Sequence, residues 1–228
     1  MKIALVIPAA GSGQRLGRGM PKALVDVGSR PLLRLTLDRL AAAADFLETV
    51  VLAPPDAIAR FEATLAGSGA SLGTWRVLAG GATRQASVAA GLAALQSDAE
   101  VVCVHDAARP LVAARTVREV LEAAGLHGAA TAASRPSDSV RQDTGSGAST
   151  ALDRSKLWLV ETPQAFRRDI LARGHREAIT GGASYTDDAS LVEAIGQQIR
   201  IVESEGRNLK VTLEADLALA ADLLRNRP

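Results

Sequence analysis

The sequence predicts an α/β fold in which a mostly parallel sheet carries helices on both faces. Short apolar runs of strand length alternate with segments whose apolar residues recur at helical spacing, an order typical of such sheets. The chain has 228 residues, of which 47% are hydrophobic and only 3% aromatic, so aliphatic side chains must fill the interior. That length suits one domain, and we expect residues 1–228 to form it.

The first predicted strand covers residues 3–7, a continuous apolar run that Pro8 ends. Pro31 suits the start of the first helix, because its ring fixes φ near the helical value. Strands are also predicted at 49–53, 75–78, 101–104 and 128–133, and helices at 31–42, 56–65, 83–96 and 112–124. This order indicates a Rossmann-like sheet, in which ligands bind beyond the carboxyl ends of strands.

The alternation breaks at residues 134–155, which we predict to be a protruding β-hairpin arm. Turn-forming residues, among them Pro136 and the run Gly145-Ser146-Gly147, flank two short segments at 140–142 and 149–152. A disordered linker is the alternative, but regular structure is expected to resume at Leu157. The chain then closes with predicted strands at 199–203 and 209–212 and a helix from Glu214.

Composition excludes several classes of protein. Lys and Arg number 26 against 25 Asp and Glu, with no long single-sign run, so we expect no nucleic-acid partner. Cys103 is the only cysteine, which excludes an intramolecular disulfide and a Cys-based zinc site, and its apolar neighbours favour a buried, inert thiol. No apolar stretch is long enough to span a bilayer, and the N-terminal run is too short for a signal peptide. We therefore expect no membrane association and a cytoplasmic location.

The loop after the first strand is the first motif that indicates chemistry. It reads Pro8-Ala9-Ala10-Gly11-Ser12-Gly13-Gln14-Arg15-Leu16, followed by Pro21-Lys22. Its glycines let backbone N–H groups approach a triphosphate, and Arg15 and Lys22 supply positive charge where phosphoryl transfer accumulates negative charge. The loop lacks the Gly-Lys-Ser/Thr of a Walker A motif and the third glycine of a dinucleotide fingerprint. Taken alone, it is also compatible with a flexible surface turn.

The second motif, Val104-His105-Asp106-Ala107-Ala108-Arg109-Pro110, follows a predicted central strand. A carboxylate at such a strand end suits a Mg²⁺ ion bound to phosphates, and Arg109 can bind an anion on the same edge. The alternative is an Asp–Arg pair that only stabilises the turn. His105 is interpreted as a partly buried structural histidine.

Two further segments contribute candidate ligand-binding residues. In Gly80-Gly81-Ala82-Thr83-Arg84-Gln85-Ala86-Ser87-Val88, two glycines precede a helix that Thr83 caps, and Ser87 is placed to bond a base edge. In Gly206-Arg207-Asn208-Leu209-Lys210-Val211-Thr212, the alternation of a strand would put Lys210 and Thr212 on one face. The alternatives are an ordinary capped turn and a solvated lysine.

Together, these motifs resemble the 2-C-methyl-D-erythritol 4-phosphate cytidylyltransferases of the nonmevalonate route to isoprenoids. The second motif is similar to the family signature, and the glycine-rich loop is similar to that of the wider nucleotidyltransferase superfamily. The resemblance runs from Ala4 to about Leu224 and implies the fold of the nucleotide-diphospho-sugar transferases. Further matches are Asp153-Arg154, Thr162-Pro163-Gln164, Thr186-Asp187 and Asn208 with Lys210-Val211-Thr212.

The resemblance implies a role for each matching residue. Nucleotide binding falls to Pro8, Ala9, Ala10, Gly11, Gly13, Gly81, Ala82 and Ser87. Catalysis falls to Arg15, Lys22, Asp106 and Lys210, with Mg²⁺ as cofactor and Asp106 as its ligand. Binding of the methylerythritol phosphate falls to Arg109, Ser139, Arg154, Thr162, Lys210 and Thr212. The arm is expected to exchange between two subunits of a homodimer, so that Ser139 and Arg154 complete the partner's site.

Two positions depart from the family pattern. Ser139 replaces the more usual threonine and keeps the hydroxyl, whereas Ala82 replaces an aspartate that can occur there, so its contact with cytosine must come from the backbone. The expected reaction joins CTP and 2-C-methyl-D-erythritol 4-phosphate and releases pyrophosphate. The alternatives are a ribitol 5-phosphate cytidylyltransferase, against which the pair Ala107-Ala108 is a modest argument, and a nucleotide-binding module without catalysis.

Overall fold

The computed structural model of the chain describes residues 1–11 and 19–225. Its strands are β1 (Ile3–Pro8), β2 (Asp26–Val27), β3 (Arg30–Pro31), β4 (Glu48–Ala53), β5 (Thr74–Ala79), β6 (Val101–Val104), β7 (Ala129–Ser134), β8 (Arg141–Gly145), β9 (Ala148–Ala151), β10 (Leu159–Arg167) and β11 (Arg200–Glu203). Its helices are α1 (Leu32–Ala41), α2 (Ile58–Leu65), α3 (Arg84–Ala94), α4 (Ala114–His127), α5 (Arg168–Thr180), α6 (Asp188–Glu193) and α7 (Glu214–Arg225).

Seven of the described strands form the main sheet, in the order β11-β7-β10-β6-β1-β4-β5. Strand β1 pairs in parallel with β4 and β6, and β4 pairs in parallel with β5. Only β10, which lies between β6 and β7, is antiparallel to its neighbours in this sheet. The prediction of a mostly parallel sheet is therefore confirmed.

Helices cover both faces of the sheet, as the continuous apolar strands predict. Leu5 and Ile7 of β1 pack on the face that α1, α2 and α4 cover. Ala4 and Val6 point to the other face, where α3, α5 and α6 pack. Because successive side chains of a strand alternate between faces, a central strand with helices on both sides must be apolar at every position.

The order of the strands positions the functional loops. The chain proceeds from β1 outward to β4 and β5, and then returns to the opposite side of β1 to form β6. Ligands in open α/β sheets bind at such a reversal, beyond the carboxyl ends of the strands. The first three motifs directly follow β1, β6 and β5, and their described residues lie at this edge.

The predicted strand at 209–212 is wrong, because residues 207–212 have no regular secondary structure. The backbone N–H of Val211 donates to Ala108 O at 2.9 Å, and the buried Val211 side chain packs in the small core beneath α7. The apolar and polar alternation of this segment therefore reflects packing on the loop after β6, and no sheet partner is involved. Sequence reasoning also missed the hairpin of β2 and β3, both helices α5 and α6, and the antiparallel direction of β10.

The predicted hairpin of the arm is present. Strands β8 and β9 pair antiparallel, and every residue of both strands is exposed. Gly145, Ser146 and Gly147 in the turn all have positive φ values. In the described ranges, no helix has the length and apolar character needed to cross a membrane.

Candidate active site

A pocket of about 320 Å³ lies at the carboxyl ends of β1, β5 and β6. Its lining draws on all four sequence motifs: Pro8, Ala9, Ala10, Gly11, Lys22, Ala23, Gly81, Ala82, Thr83, Arg84, Ser87, Asp106, Ala107, Ala108 and Lys210. Most of the predicted nucleotide-binding and catalytic residues are thus brought together. Gly13 and Arg15 lie outside the described residues.

One side of the pocket is built from closely packed backbone. A Cβ atom added to Gly80 would lie 2.4 Å from the Cβ of Ala10, so the loops after β1 and β5 touch there and only glycine fits. The backbone N–H of Gly81 donates to Ser87 Oγ at 3.1 Å, and Ser87 Oγ donates to Thr83 O at 2.9 Å. Thr83 accepts from the N–H of Ala86 at 3.0 Å, which confirms it as the cap of α3.

Lys22 opens a short 3₁₀ turn in which the next two residues, Ala23 and Leu24, are buried and hold it in place. Its Nζ donates to the carbonyl oxygen of Val211 at 3.1 Å. This bond joins the loop after β1 to the segment that carries Lys210, although the two lysines are far apart in the sequence. Both lysines therefore line one pocket.

Asp106 is the electrostatic centre of the site. Its carboxylate lies 2.8 Å from Lys210 Nζ, 3.2 Å from Arg84 Nε and 3.9 Å from Arg109 Nε. We call these four residues the rim cluster. Burial alone would raise the pKa of Asp106, but the positive charges of Arg84, Lys210 and Arg109 outweigh it and hold that pKa well below its usual range. Asp106 is therefore charged at neutral pH.

Arg84 is the residue of this cluster that sequence reasoning missed. Its Nη1 donates to Asp188 Oδ2 at 2.7 Å while its Nε donates to Asp106, so one guanidinium joins two carboxylates. Burial disfavours its charge, but Asp188 and Asp106 together raise its pKa further above the usual value. The available signal was a cation at the first position of a helix that follows Gly80-Gly81.

A hydrogen-bonded platform supports the other side of Asp106. The backbone N–H of Asp106 donates to Thr162 Oγ1 at 3.0 Å, and Arg109 Nη1 donates to Asn208 O at 2.7 Å. Asn208 Nδ2 in turn donates to Thr162 O at 2.7 Å and to Glu161 Oε2 at 2.9 Å. Arg109 and Thr162 are both buried, and Asn208 ties them to each other.

Glu161 extends this platform to the start of the arm. Ser134, the last residue of β7, donates to Glu161 Oε1 at 2.8 Å. Ser204 Oγ donates to Glu161 Oε2 at 2.7 Å, beside the amide of Asn208. One carboxylate thus accepts from three residues, one at the end of β7 and two in the segment after β11.

Comparison with known proteins assigns the chain to a family. The family model for 2-C-methyl-D-erythritol 4-phosphate cytidylyltransferase (IspD) matches residues 3–226, nearly the whole chain. The chain belongs to this family. The 2-C-methyl-D-erythritol 4-phosphate cytidylyltransferase of Symbiobacterium thermophilum is 42% identical over 223 residues, which cover 97% of this chain and 92% of that relative. The Geobacillus kaustophilus relative of the same name is 38% identical over 100% of this chain and 99% of its own.

Solved structures of the cytidylyltransferase family share the fold. The enzyme from Thermus thermophilus superposes with a TM-score of 0.79 at 37% identity, covering 99% of this chain and 100% of that one. The 4-diphosphocytidyl-2C-methyl-D-erythritol synthase from Anaerococcus prevotii has a TM-score of 0.87 at 25% identity, covering 99% and 96%. The predicted fold class is confirmed by these similarities.

Of the six residues predicted to bind substrate in this cytidylyltransferase, only Lys210 is in the pocket lining. Arg109 and Thr162 are buried and contact Asp106. The other three lie in the arm or just before α7. Ser139 and Arg154 belong to the arm and are exposed, and Arg154 Nη1 donates to Ser137 O. Thr212 precedes α7, where its N–H donates to Asp216 Oδ2 at 2.7 Å and its hydroxyl to Lys210 O at 3.1 Å. Their roles in binding substrate stay predictions.

Burial keeps His105 and Cys103 uncharged at neutral pH. His105 is fully buried, more so than predicted, and burial lowers its pKa to about 4, so its ring is neutral at neutral pH. Burial raises the pKa of Cys103 to about 12, which confirms an inert thiol. Among the described residues, no group of three or more His, Cys, Asp or Glu side chains is placed to hold a metal ion.

Proposed function

We propose that this chain transfers the cytidylyl group of CTP to 2-C-methyl-D-erythritol 4-phosphate, which yields 4-diphosphocytidyl-2-C-methyl-D-erythritol and pyrophosphate for isoprenoid precursor biosynthesis. One observation carries the assignment of the reacting groups. Lys22 and Lys210 line the same pocket as the charged Asp106, beyond the carboxyl ends of β1 and β6. Family membership over nearly the whole chain supports the choice of both substrates.

The chemistry needs positive charge more than it needs a base. A phosphate oxygen of the polyol phosphate attacks the α-phosphorus of CTP in line, and pyrophosphate leaves. The second pKa of a phosphate monoester is about 6, so the nucleophile is already largely ionised at neutral pH. The obstacle is repulsion between two anions. A neutral, buried His105 is consistent with a reaction that requires no general base.

Lysine and arginine side chains neutralise this repulsion. We assign Lys22, together with Arg15, to the charge that develops at the α-phosphate. We assign Lys210 and Arg109 to the incoming phosphate. The Lys210 side chain is 44% exposed, so it can reach a ligand as well as Asp106. Thr162 supports this side of the pocket through its bond to the N–H of Asp106.

Recognition of cytosine is assigned to the backbone-lined side of the pocket. Pro8, Ala9, Ala10, Gly11, Gly81 and Ala82 present backbone groups and small side chains that permit close approach. Ser87 Oγ already accepts from Gly81 and donates to Thr83, so one lone pair is left to accept a further hydrogen bond. An acceptor favours the amino group of cytosine over the carbonyl oxygen of uracil at the same position.

Asp106 is the residue proposed to hold Mg²⁺. Proteins commonly bind Mg²⁺ through one or two carboxylates, with phosphate and water oxygens completing its ligands, so a single charged aspartate beside a triphosphate pocket fits this ion. When bound, Mg²⁺ would supply Lewis-acid stabilisation of phosphate charge. The carboxylate of Asp106 is kept ionised for this role by the three cations around it.

The arm supports the proposal of a homodimer. An isolated two-stranded hairpin is marginally stable in water, yet β8 and β9 bury none of their residues within this chain. At its base, Arg135 stacks 3.5 Å from the ring centre of Trp158 and donates to Ser155 O and Leu157 O, which fixes its direction. Leu152, Leu159 and Val160 are exposed nearby. A second copy would cover this surface and receive Ser139 and Arg154.

The test is pyrophosphate release with Mg²⁺, each of the four common nucleoside triphosphates, and either 2-C-methyl-D-erythritol 4-phosphate or ribitol 5-phosphate. We expect turnover with CTP and the methylerythritol substrate. Preferred turnover of ribitol 5-phosphate would transfer the assignment to that rival. Nucleotide binding without pyrophosphate release from any pair would support a module without catalysis. Lys2→Ala, a change to an exposed lysine that pairs with Asp98, is the matched control for variants of Lys22.

A further inference from the structure

Arg84 connects the pocket to a buried acidic group behind it. The guanidinium lines the pocket, its Nε donates to Asp106 Oδ1 at 3.2 Å, and its Nη1 donates to Asp188 Oδ2 at 2.7 Å. Asp106 follows β6, whereas Asp188 is the first residue of α6. One planar side chain therefore spans two elements that are distant in the sequence.

The far end of this bridge is held firmly. Asp188 is 1% exposed, and its N–H donates to Gln164 Oε1 at 3.0 Å. The neighbouring N–H of Ala189 donates to the same oxygen at 3.1 Å, and His175 Nε2 lies 3.4 Å from Asp188 Oδ1. Because Asp188 is fixed from several directions, it provides a rigid anchor for Arg84.

Helix stability alone does not explain an arginine at this position. Arg84 is the first residue of α3, where the helix dipole favours an acidic side chain and disfavours a cation, and the first turn contains no acid. A buried ion pair is itself weak support for stability, since apolar residues of similar volume often serve as well. The position therefore points to a requirement of the site.

We propose that Arg84 is a positioning residue of the transfer reaction, which orients the carboxylate of Asp106 and is itself anchored by Asp188. This role rests on the proposed function of Asp106. A guanidinium presents fixed donors in one plane, so it can hold two carboxylates at a set distance from each other. The ammonium of a lysine has the same charge but a single nitrogen, and it cannot reproduce that bridge.

The experiment is a double-mutant cycle on purified protein. Arg84→Lys keeps the charge and loses the bridge, and we expect kcat to fall ~10–100-fold, as for other residues that orient a ligand-binding group. In a protein that already carries Asp106→Asn, Arg84→Lys should lower kcat no more than about twofold, because the carboxylate that Arg84 orients is gone. A similar fold-loss in both backgrounds would mean that Arg84 does not act through Asp106 and would overturn the proposal.

The anchor is tested in the same way. Asp188→Asn should lower kcat in the wild-type background. In a protein that already carries Arg84→Lys, it should lower kcat little further. If the double variant loses kcat by the product of the two single-variant factors, Asp188 is not the anchor. Arg76→Lys is the matched control, since Arg76 also pairs with a buried carboxylate, Glu48, away from the pocket. It should change the thermal midpoint and leave kcat unaltered.

A second readout separates this proposal from the proposed function. The cycle of Arg84 and Asp106 is repeated on equilibrium CTP affinity in Mg²⁺, measured by calorimetry without the polyol phosphate. Coupled changes in affinity would support the positioning role even if turnover of the assigned polyol failed. Independent changes in affinity, in a protein that does turn over, would refute the positioning role alone.

Discussion

The rim cluster is held by contacts within the chain, whereas the arm is mostly exposed. Asp106, Arg84 and Arg109 are held by hydrogen bonds from several elements of one chain, and Asp106 is 7% exposed. The arm at residues 134–155 carries two predicted substrate-binding residues, which flank a hairpin that is exposed throughout its strands. One chain thus assembles the groups proposed to bind the nucleotide, whereas the arm projects its residues outward. In the proposed homodimer, the polyol phosphate side of the site is completed by the partner's arm.

The largest expected effect lies on the pocket side of this comparison. Lys22→Ala should lower kcat by ~10²–10³-fold, because it removes a fixed positive charge at the developing phosphate charge. Steady-state pyrophosphate release measures the loss, and Lys2→Ala should leave it unchanged. Normal turnover by K22A would show that this lysine has no role in catalysis.

The second prediction concerns the arm. Arg154→Ala should raise KM for the polyol phosphate about 10-fold or more, and KM for CTP much less, since a hydrogen bond to a charged group contributes about 1.5–3 kcal/mol. Initial rates at varied concentrations of each substrate measure both constants. Equal increases for the two substrates would argue against a role specific to the polyol phosphate.

Mixing variants tests whether the arm acts across subunits. A dimer of one K22A chain and one R154A chain contains one complete site if each arm serves its partner. At polyol phosphate concentrations well below KM, where R154A itself is slow, random mixing should then restore about a quarter of wild-type activity, because half of the dimers are mixed and each has one complete site. If the mixture is no more active than the two variants measured separately, the arm does not complete a partner's site.

A smaller effect is expected from close packing beside the pocket. Gly80→Ala inserts a methyl group 2.4 Å from Ala10 Cβ, so we expect about 1–3 kcal/mol of lost stability and weaker CTP binding. Urea unfolding and calorimetry measure these changes. Gly69→Ala is a suitable control, because Gly69 lies outside the pocket lining and an added Cβ there meets nothing within 4 Å. Equal losses for the two variants would remove close packing as the reason for glycine at position 80.

The smallest effect is expected at the tip of the arm. Ser146 has a φ of 55°, a left-handed conformation that glycine adopts readily. Ser146→Gly relieves that strain but makes the unfolded chain more flexible, so the net change should stay within about 0.5 kcal/mol. Thermal unfolding measures it. A large loss would mean that the tip makes contacts in the assembled protein that Ser146 itself provides.

Sequence reasoning succeeded where local pattern determines position. Continuous apolar runs predicted β1 and β6, and parallel strands bring their carboxyl ends to one edge, so Lys22 and Asp106 were expected to meet. It failed where distant side chains pair. No local signal links Arg84 to Asp188, which lie 104 residues apart in the sequence and meet only because α3 and α6 cover the same face of the sheet.

The error at residues 209–212 has a similar origin. Alternation of apolar and polar residues is the mark of a strand, but Val211 bonds to Ala108 and accepts from Lys22 in an irregular segment. Lys210 still reaches Asp106, so the predicted neighbour was right although the predicted element was wrong. The predicted roles of Ser139, Arg154 and Thr212 depend on a second chain or a bound substrate, which one chain's sequence pattern does not specify.

The shared carboxylate of Glu161 has a mechanical consequence for the proposed homodimer. It accepts from Ser134, where the arm leaves the sheet, and from Asn208, which holds Arg109 and Thr162. Neither segment can move without altering the hydrogen bonds of the other. A force applied to the arm by a neighbouring subunit would therefore be transmitted, through a single side chain, to the groups proposed to hold the phosphate.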